Sequence, residues 1–524
     1  MTPRGASRGR RQFAAALLTA MQILAVCEAR AGEIYAGDDL QIRWDNTLTY
    51  RAGLRLPAAD PITLAYPNSD DADRDFARGV MMNRLDLNSV LDIASENFGL
   101  QVSLNGWYDA VYQRHTGNDS AATYNPVSVP NSEFAHAVRA LDGAHVELGD
   151  SFVYANLSLQ GMPVSVRLGR QTMLWGEGLF FAANSIAAGQ APVDYVKGLS
   201  TPEGYSRSLF LPVNQAVLTV QPQSDFSLSA YYQFEWRPSR LAGVGSYFSD
   251  SDITGAGAER AFLSQGQYLL HGRDEKPSAA QFGFALRKSI EDIDLGFYAL
   301  RFNAKYPVVL VDAAAGPGGY AGTFESYYPS ATELYGASFS TYWGDSTVAG
   351  EISGRLHMPL VSNPAVSLTF LTPLRNPGYA LGDTLHAQLS LVSTLGPQPF
   401  WDSADVSLEV AANERLAITH YASAFNTQRS RFAASLRALV KPHYFQVLPN
   451  LEVTPILGAG YHLTGRSSVD YRENSGTGDF ELGVSFAYRT VWQANLSLTT
   501  FVGAPYRQAL SDRDFFLVNL ERAF

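Results

Sequence analysis

Residues 514–524, DFFLVNLERAF, decide the fold class, because they have two different faces. One face carries Phe516, Val518, Leu520 and Phe524. The other carries Phe515, Leu517, Asn519, Glu521 and Ala523. Successive side chains of a β-strand point to opposite sides, so this alternation predicts a strand between two environments. The last strand of a soluble sandwich and the last strand of a membrane barrel both fit this pattern.

The apolar set Phe516, Val518, Leu520 and Phe524 resembles the C-terminal signal by which bacterial outer-membrane barrels are recognised for assembly. Arg522 departs from that pattern, because an outward apolar residue would be usual at its position. The resemblance implies the barrel assembly machinery as a partner and outer-membrane lipid as the surroundings.

The same alternation recurs along the chain and predicts an all-β fold. Residues 40–56 place Leu40, Trp44 and Leu48 on one face, and the opposite face carries Arg43, Arg51 and Arg55. Charged side chains on a strand need water or mutual pairing, so we expect the second face to line a wet lumen. Aromatic residues often end the apolar faces and predict the girdles of a membrane barrel. They are Trp44, Tyr112, Trp236 and Tyr488.

Connection lengths separate the two fold classes. About eighteen alternating segments (16–18) are joined by short connections, such as those near residues 94–97 and 160–163, that alternate with long ones, such as 113–143 and 176–212. A sandwich has no reason to alternate its loops in this way. A closed transmembrane antiparallel β-barrel does, with short periplasmic turns, long outer loops and no unpaired edge in lipid. We therefore expect residues 32–524 to form one barrel domain.

Residues 1–31 are predicted to be a cleavable export signal, with four arginines before an apolar stretch and Ala29–Ala31 as the small residues at cleavage. Arg10 and Arg11 also partly match the twin-arginine export pattern. A chain bound for outer-membrane assembly should cross the inner membrane unfolded, which argues against that route. The single cysteine, Cys27, lies in this segment, so residues 32–524 contain no thiol chemistry. The signal predicts a Gram-negative cell outer membrane as the location.

The charge of the mature chain argues against nucleic acid as a partner. Residues 32–524 hold 34 Lys and Arg against 49 Asp and Glu, a net charge of −15. Proteins that bind nucleic acid are usually basic where they contact phosphate. Acidic outer loops are instead compatible with a lipopolysaccharide surface rich in divalent cations.

Three sequence blocks, between residues 68 and 248, resemble a proteobacterial outer-membrane family catalogued as a domain of unknown function. They are 68–73 (NSDDAD) with 83–87 (NRLDL), 167–171 (RLGRQ) with 174–177 (LWGE), and 210–214 (FLPVN) with 244–248 (VGSYF). The resemblance implies a porin-like barrel, loosely linked to the passage of hydrophobic small molecules. It implies no reaction and no cofactor.

Residues 176–212 are the candidate constriction, because in the porins that this chain resembles the loop at that place folds inward. The loop supplies Glu177, Asp194, Lys197, Glu203 and Arg207. The opposing inward faces supply Arg43, Arg51, Arg55, Arg84, Arg167 and Gln171. Opposed acidic and basic groups would produce a transverse field that filters solutes, whereas an outer loop with solvated charges is the alternative. Arg170 falls on the other face from Arg167, and a bulge near Gly169 would explain that.

Asp71, Asp73 and Asp75 form a candidate cation site, because alternate carboxylates are ligands that calcium takes. A solvated acidic loop is the simpler interpretation. We expect no cofactor and no enzyme, since the HExxH, P-loop and GxSxG patterns are absent from the sequence.

Three functions follow in order of preference. The first is a channel through which small organic molecules, hydrophobic ones included, diffuse past the loop 176–212. The second is a structural or docking barrel with a plugged lumen, and the third is a hydrolase embedded in a barrel. Inward residues of both polar and apolar kinds, such as Trp107 and Trp175, leave the solute open.

Overall fold

Eighteen antiparallel strands close into one barrel, which confirms the predicted fold class and strand number. The computed structural model describes residues 32–37, 39–201, 204, 206–263, 266–363, 365–367 and 378–524. The predicted export signal lies outside the described residues. In chain order the barrel strands are β1 (Leu40–Arg55), β2 (Gly79–Ser95), β3 (Phe98–Asp109), β4 (Ala144–Leu159), β5 (Met162–Gln171), β6 (Val213–Gln223), β7 (Phe226–Gln233), β8 (Gln281–Ile290), β9 (Ile293–Phe302), β10 (Thr332–Trp343), β11 (Ser346–Pro359), β12 (Leu381–Leu395), β13 (Ser403–His420), β14 (Phe432–Leu448), β15 (Leu451–Thr464), β16 (Gly478–Tyr488), β17 (Trp492–Val502) and β18 (Phe515–Ala523).

The C-terminal strand closes the ring. β18 pairs with β17 on one side and with β1 on the other, from Thr47 opposite Ala523 to Arg55 opposite Phe515. Asn46 and Phe524 exchange both backbone hydrogen bonds at 2.9 Å. Closure satisfies the backbone polar groups of the first and last strands, as a strand in lipid requires. Arg522, the exception in the C-terminal pattern, lies with its guanidinium 5.1 Å from the Trp492 ring centroid.

The predicted alternation of loop lengths is also confirmed. Eight short connections join strands at the end of the barrel where β1 begins and β18 ends. The long loops at the other end are L1 (56–78), L2 (110–143), L3 (172–212), L4 (234–280), L5 (303–331), L6 (360–380), L7 (421–431), L8 (465–477) and L9 (503–514). No helix in the described part of the chain is both long and apolar enough to cross a membrane.

The outward face of the barrel is apolar. Leu148, Leu168, Phe297 and Leu389 are each about half exposed, between 49% and 54%. Trp44, Phe98, Tyr342 and Trp343 form exposed aromatic groups near the short turns. Tyr112 and Trp236 do not belong to a girdle: Tyr112 is buried among loop residues, and Trp236 donates from its ring nitrogen to the carbonyl of Ala304. Both residues lie beyond the ends of their strands, β3 and β7, and alternation alone did not predict where those strands end.

The loops carry structure that alternation did not predict. Arg260–Phe262, Tyr268–His271, Val308–Ala313, Tyr320–Tyr327 and Ala365–Ser367 form a second, five-stranded sheet. Short α-helices occupy Asp71–Asp75, His136–Val138 and Tyr195–Ser200, and a π-turn occupies Arg139–Gly143. Single 3₁₀ turns occupy Thr63–Ala65, Ala110–Gln113, Ile186–Gly189, Ser206–Leu209, Pro317–Gly319 and Ala422–Ala424. Gly32–Ala36 pairs with the first residues of β1.

A buried cluster, here called the loop core, closes part of the barrel mouth next to β1, β2 and β18. Its aromatic members are Phe76, Tyr112, Phe134, Tyr247, Phe248 and Phe515. Their rings meet at 4.9–6.2 Å between centroids, mostly edge to face, an arrangement that aromatic pairs favour. L1, L2 and L4 thus pack on the inward side of the C-terminal strand.

Candidate functional site

Loop L3 lies inside the barrel and is fastened to strands on another part of the wall. Glu351 of β11 accepts hydrogen bonds from the backbone amides of Glu177 (2.7 Å) and Ile186 (2.8 Å). Glu409 of β13 accepts from the amides of Leu179, Phe180 and Phe181 at 2.6–3.0 Å. Both glutamates are buried, with 7% and 0% of their surface exposed. A carboxylate bonded to several amides is a strong anchor, because charge-assisted hydrogen bonds are stronger than neutral ones.

A basic residue holds the tip of the same loop. Arg355 of β11 donates to the carbonyls of Ala183 (3.1 Å), Asn184 (2.6 Å) and Ser185 (3.0 Å). The side-chain oxygen of Asn184 lies 2.8 Å from Nδ1 of His386 on β12. The loop is therefore bound through both its amides and its carbonyls, and the barrel interior is divided where it crosses.

Residues 193–197 of L3 form the wall between two cavities, and we call this segment the partition. Val193 and Tyr195 line a cavity of about 310 Å³ toward the loop end, the outer cavity. Asp194, Val196 and Lys197 line a cavity of about 530 Å³ deeper in the barrel, the inner cavity. Neighbouring residues of one short segment thus face different compartments.

Arg240 of L4 holds the partition in place. Its backbone nitrogen donates to the carbonyl of Val193 (2.9 Å), and its carbonyl accepts from Tyr195 (3.0 Å). Its guanidinium bonds Asp194 at 2.6 Å and Glu147 of β4 at 2.5 Å. These three charged side chains are only 10–13% exposed, so their attraction is poorly screened by solvent. Asp194 also accepts from the amide of Lys197 at 2.9 Å, which caps the helix Tyr195–Ser200.

The outer cavity is mostly apolar and aromatic. Tyr195, Phe302, Tyr306 and Tyr471 line it, together with Lys305. Tyr306 lies 6.0 Å from Tyr195 and 5.6 Å from Tyr471 between ring centroids. Burial and the nearby Arg355 lower the pKa of Lys305 to about 7. Its ammonium donates to the carbonyl of Gly189 at 3.0 Å.

The inner cavity is charged. Arg84 bonds Asp86 at 2.7 Å, and Arg51 lies 3.6 Å from the same carboxylate. The guanidinium groups of Arg84 and Arg240 lie 4.6 and 5.1 Å from the ring centroid of Trp107. Burial lowers the pKa of Lys197, whose ammonium donates to the carbonyl of Ser208 at 2.8 Å. Cations stacked on an aromatic face keep fixed positions.

The residues predicted to form the constriction lie in several different parts of the barrel. Arg51, Arg84, Asp194 and Lys197 line the inner cavity together. The expected opposition of an acidic loop to a basic wall is wrong for them, because Asp194 pairs with Arg240 and the wall arginines pair with Asp86. The charges are thus neutralised in local pairs, one of which joins Glu147 of the wall to Arg240 of L4.

The other candidates lie elsewhere. Arg43 pairs with Asp45 near the short turns, and Arg55 is buried against Asp73. The amides of Gln171 and Gln215 bond each other's backbone carbonyls. Arg167 lies 5.6 Å from the Phe152 ring, and Arg207 donates to the carbonyl of Gly176. Burial raises the pKa of Glu177, whose amide joins the Glu351 anchor. Glu203 lies outside the described residues.

The suggested bulge at Gly169 is wrong. Pairing continues in register from Phe152–Gly169 to Ser151–Arg170, and the register shift lies instead between β3 and β4, near Val102. Gly169 has a φ of +134°, and a Cβ there would come within 2.6 Å of the carbonyl of Ser151. Arg170 lies at the strand end, where it pairs with Glu235 at 2.9 Å.

The calcium set Asp71, Asp73 and Asp75 is not assembled. Oδ1 of Asp73 is taken by Arg55 (2.9 Å) and Arg513 (2.6 Å). A one-turn helix also cannot point three alternate residues to one side. The carboxylates that meet are Asp70, Asp71 and Asp252, whose ligand atoms all lie within 4.8 Å of one another.

Sequence reasoning missed the loop anchors Glu351, Arg355, His386 and Glu409. The sequence signal that could have identified them is a charged residue on the inward face of a strand, the same signal that identified the arginines of β1. Glu409 lies in a weakly alternating stretch, which hid the strand that carries it. Arg240 lies in a loop, where alternation carries no information.

Comparison with known proteins identifies the family. A family model described as "Protein of unknown function (DUF1302)" matches residues 12–524. The chain belongs to this family. The resemblance drawn from residues 68–248 is thereby confirmed. No curated protein matches the chain.

Several solved structures are similar to this chain at low identity. A BenF-like porin from Pseudomonas fluorescens Pf-5 is 10% identical, with 92% of this chain and 98% of that chain covered and a TM-score of 0.42. OccAB3 of Acinetobacter baumannii is 9% identical, with 92% and 99% covered and a TM-score of 0.44. The outer membrane channel DcaP of Acinetobacter baumannii is 7% identical, with 94% and 100% covered and a TM-score of 0.41. These likenesses are distant.

Proposed function

We propose that this protein is an outer-membrane channel that passes small organic molecules from the outer cavity to the inner cavity, past the partition. The observation that carries this proposal is the division of the barrel interior by L3. The apolar outer cavity accepts the hydrophobic part of a solute, and the charged inner cavity accepts its polar groups. Solutes with both parts fit this sequence of surfaces best.

The outside of the barrel supports the location. Exposed apolar side chains on the strands, with exposed aromatic groups near one end, are the surface that a bilayer solvates. We therefore propose outer-membrane lipid, lipopolysaccharide and the barrel assembly machinery as partners, and a cleaved signal peptide as the route of export. The acidic charge of the chain gives no support to nucleic acid as a partner.

Passage rather than catalysis is the proposed activity. The Ser435 hydroxyl lies 2.7 Å from Nδ1 of His462, which is the contact that a lumen hydrolase would need first. Within the described residues no carboxylate bonds the other ring nitrogen of His462. Nucleophile activation needs a third group that orients the base, so this pair gives the hydrolase little support.

A docking barrel is the second candidate, because the loop core closes part of the barrel mouth. Single-channel recording in a planar bilayer distinguishes the two. We expect small, steady steps from refolded residues 32–524, and much larger steps when residues 177–209 are replaced by a short Gly-Ser linker. The same linker placed in L7 (421–431) is the control and should leave the steps unchanged.

The outcomes separate the proposals. If L3 limits passage, conductance rises only with the L3 replacement. If both the wild-type barrel and the L3 replacement are folded but silent, the loop core closes the pore and the docking role replaces the channel. Addition of an amphipathic aromatic solute should shorten the open time of the wild-type channel, because such a solute would occupy the outer cavity.

A further inference from the structure

A cluster of buried carboxylates lies beside the loop core, and its members line neither cavity. Asp70 and Asp71 come from L1, and Asp252 comes from L4. These three side chains are 0%, 0% and 1% exposed, and each offers one oxygen within 4.8 Å of the others. The amide of Asp71 donates to Oδ2 of Asp252 at 3.1 Å, so the two loops already meet here.

The cluster holds more negative charge than its surroundings balance. Arg74 pairs with Asp70 at 2.5 Å, while Arg55 and Arg513 are taken by Asp73. Asp71, Asp75 and Asp252 form no salt bridge within the described part of the chain. A buried, unpaired carboxylate is costly, so such groups are normally protonated or bound to a cation.

A third loop adds a neutral oxygen that has no partner. Asn125 of L2 is fully buried, and its backbone amide donates to Oδ2 of Asp71 at 3.0 Å. Its side-chain nitrogen donates to the carbonyl of Arg260 (2.7 Å) and to Oδ1 of Asn68 (3.1 Å). Among the described residues, Oδ1 of Asn125 and Oδ1 of Asp252 accept no hydrogen bond. Asn125 and Asp252 both contact Asp71, through the backbone amide of Asn125 and the backbone amide of Asp71, and unpartnered buried acceptors on two loops that meet there point to an absent positive group.

We propose that Asp70, Asp71 and Asp252 bind one divalent cation, with Asn125 as a neutral ligand, and that this cation fastens L1, L2 and L4 together. The donors are oxygen only, which is the set that calcium prefers, whereas zinc prefers nitrogen and sulfur. Calcium suits the site better than magnesium, because magnesium keeps several waters and demands octahedral geometry. The site differs from the alternate set Asp71, Asp73 and Asp75 expected from the sequence, and it stands independently of channel activity.

Protons are the competing explanation. Burial, then repulsion from Asp75 and Asp70, raises the pKa of Asp71 to about 8. Burial and the neighbouring Asp71 raise the pKa of Asp252 well above its ordinary value. A cluster held by protons would gain nothing from calcium, and a neutral amide would replace Asp252 without loss. The substitution Asp252→Asn therefore separates the two explanations, because it keeps the shape and removes one charge.

The experiment uses residues 32–524 refolded in detergent without lipopolysaccharide, which itself binds calcium. After treatment with EDTA, the protein is loaded with calcium, desalted and analysed for metal, and its thermal unfolding is measured with and without calcium. We expect one calcium per barrel and an unfolding temperature that rises by several degrees at saturating calcium, because a ligand bound only to the folded state stabilises it. Magnesium at the same concentration should give a smaller shift.

Asp252→Asn should lose both the bound calcium and the calcium-dependent shift, while Asp345→Asn, an equal charge change at a short turn, should lose neither. The proposal is overturned if calcium is bound at less than one per barrel, or if Asp252→Asn responds to calcium as the wild type does. It is equally overturned if Asp252→Asn is at least as stable as the wild type in EDTA and the wild type gains nothing from calcium. Metal analysis and calcium response of the wild-type protein test the site even if the variant does not fold.

Discussion

The outer and inner cavities share one wall and differ in every other respect. Tyrosines and Phe302 line much of the outer cavity, where backbone carbonyls hold the ammonium of Lys305; Arg355 and Arg472 line it too. Arginines and carboxylates surround the inner cavity, and they pair with one another. The same barrel thus offers one surface that solvates apolar groups and another that solvates ions. In the proposed channel, the partition, more than the barrel wall, therefore sets the order in which a solute meets these surfaces.

Releasing L3 from the barrel wall should remove the boundary between the outer and inner cavities. In Glu351→Ala with Glu409→Ala, five backbone amides of the loop lose their carboxylate partners. A hydrogen bond to a charged group contributes about 1.5–3 kcal/mol, so the loop should leave its docked position. We expect single-channel conductance to rise severalfold. Glu452→Ala, at the short-turn end of β15, is the matched control, and an unchanged conductance in the double variant would show that L3 does not limit passage.

Removing Arg240 should open the wall between the cavities while leaving L3 anchored. Arg240→Ala leaves Asp194 buried without its cation, and it leaves Glu147 with Arg237 alone. Breaking a buried pair from one side costs about 3–5 kcal/mol, and the partition is where that strain would be relieved. We expect frequent transitions to a larger conductance in current traces. Arg240→Lys, which keeps the charge, should restore part of the wild-type behaviour; identical traces for the alanine and wild-type proteins would contradict the assignment of residues 193–197 as the wall.

Sequence alone reached the barrel and its loop order because both follow from local alternation. Each strand repeats the pattern of residues 514–524, and each turn interrupts it, so β18 and β1 could be recognised without knowledge of their partners. The five-stranded loop sheet was missed since its strands, such as Arg260–Phe262, are too short to show a period. The pairing of Tyr268–His271 with Tyr320–Tyr327 joins distant parts of the chain and is fixed by the tertiary fold.

Only part of the candidate site could be predicted from the sequence, for a related reason. Arg51 and Arg84 could be placed on inward faces because a strand has two faces. Their partners could not be placed, since Arg240 reaches Glu147 across 93 residues and Glu409 reaches Phe180 across 229. The acidic stretch near residue 71 was recognised as unusual, but its third carboxylate, Asp252, lies 181 residues away.

The charge of the outer cavity should depend on pH, and Asp142 at the inner cavity, whose pKa burial raises to about 7, adds a second pH-dependent charge there. Burial lowers the pKa of Lys305 to about 7 and, with Asp470 nearby, raises the pKa of Glu473 to about 7. As pH rises through about 7, Lys305 loses its positive charge and Glu473 gains a negative one, so anion selectivity should fall. Reversal potentials in a salt gradient measure this. Lys305→Met should flatten the pH profile, and Lys276→Met, an exposed lysine of L4, should leave it unchanged.

The titration of Lys305 should also make the stability of the folded protein depend on pH. The pKa of Lys305 is lowered in the folded protein, so between pH 7 and the ordinary value of 10.5 the unfolded chain holds a proton that the folded protein lacks. Stability therefore rises with pH across that window. Lys305→Met should remove this rise. A pH profile of anion selectivity that is the same in the wild type and in Lys305→Met would mean that the outer cavity does not carry the ions.

The smallest effect is expected from a substitution of Trp107, which tests the inner cavity separately from the outer one. Its ring holds Arg84 and Arg240 at 4.6 and 5.1 Å, and each such contact contributes about 0.5–2 kcal/mol. Trp107→Leu should free both guanidinium groups to move and weaken block by an anionic solute by about two- to fivefold, while block by a neutral aromatic solute at the outer cavity stays the same. Trp44→Leu makes the same change on the outward face and serves as the control. If Trp107→Leu changed both kinds of block equally, the two cavities would act as one continuous lumen, and the partition would not be the boundary that orders them.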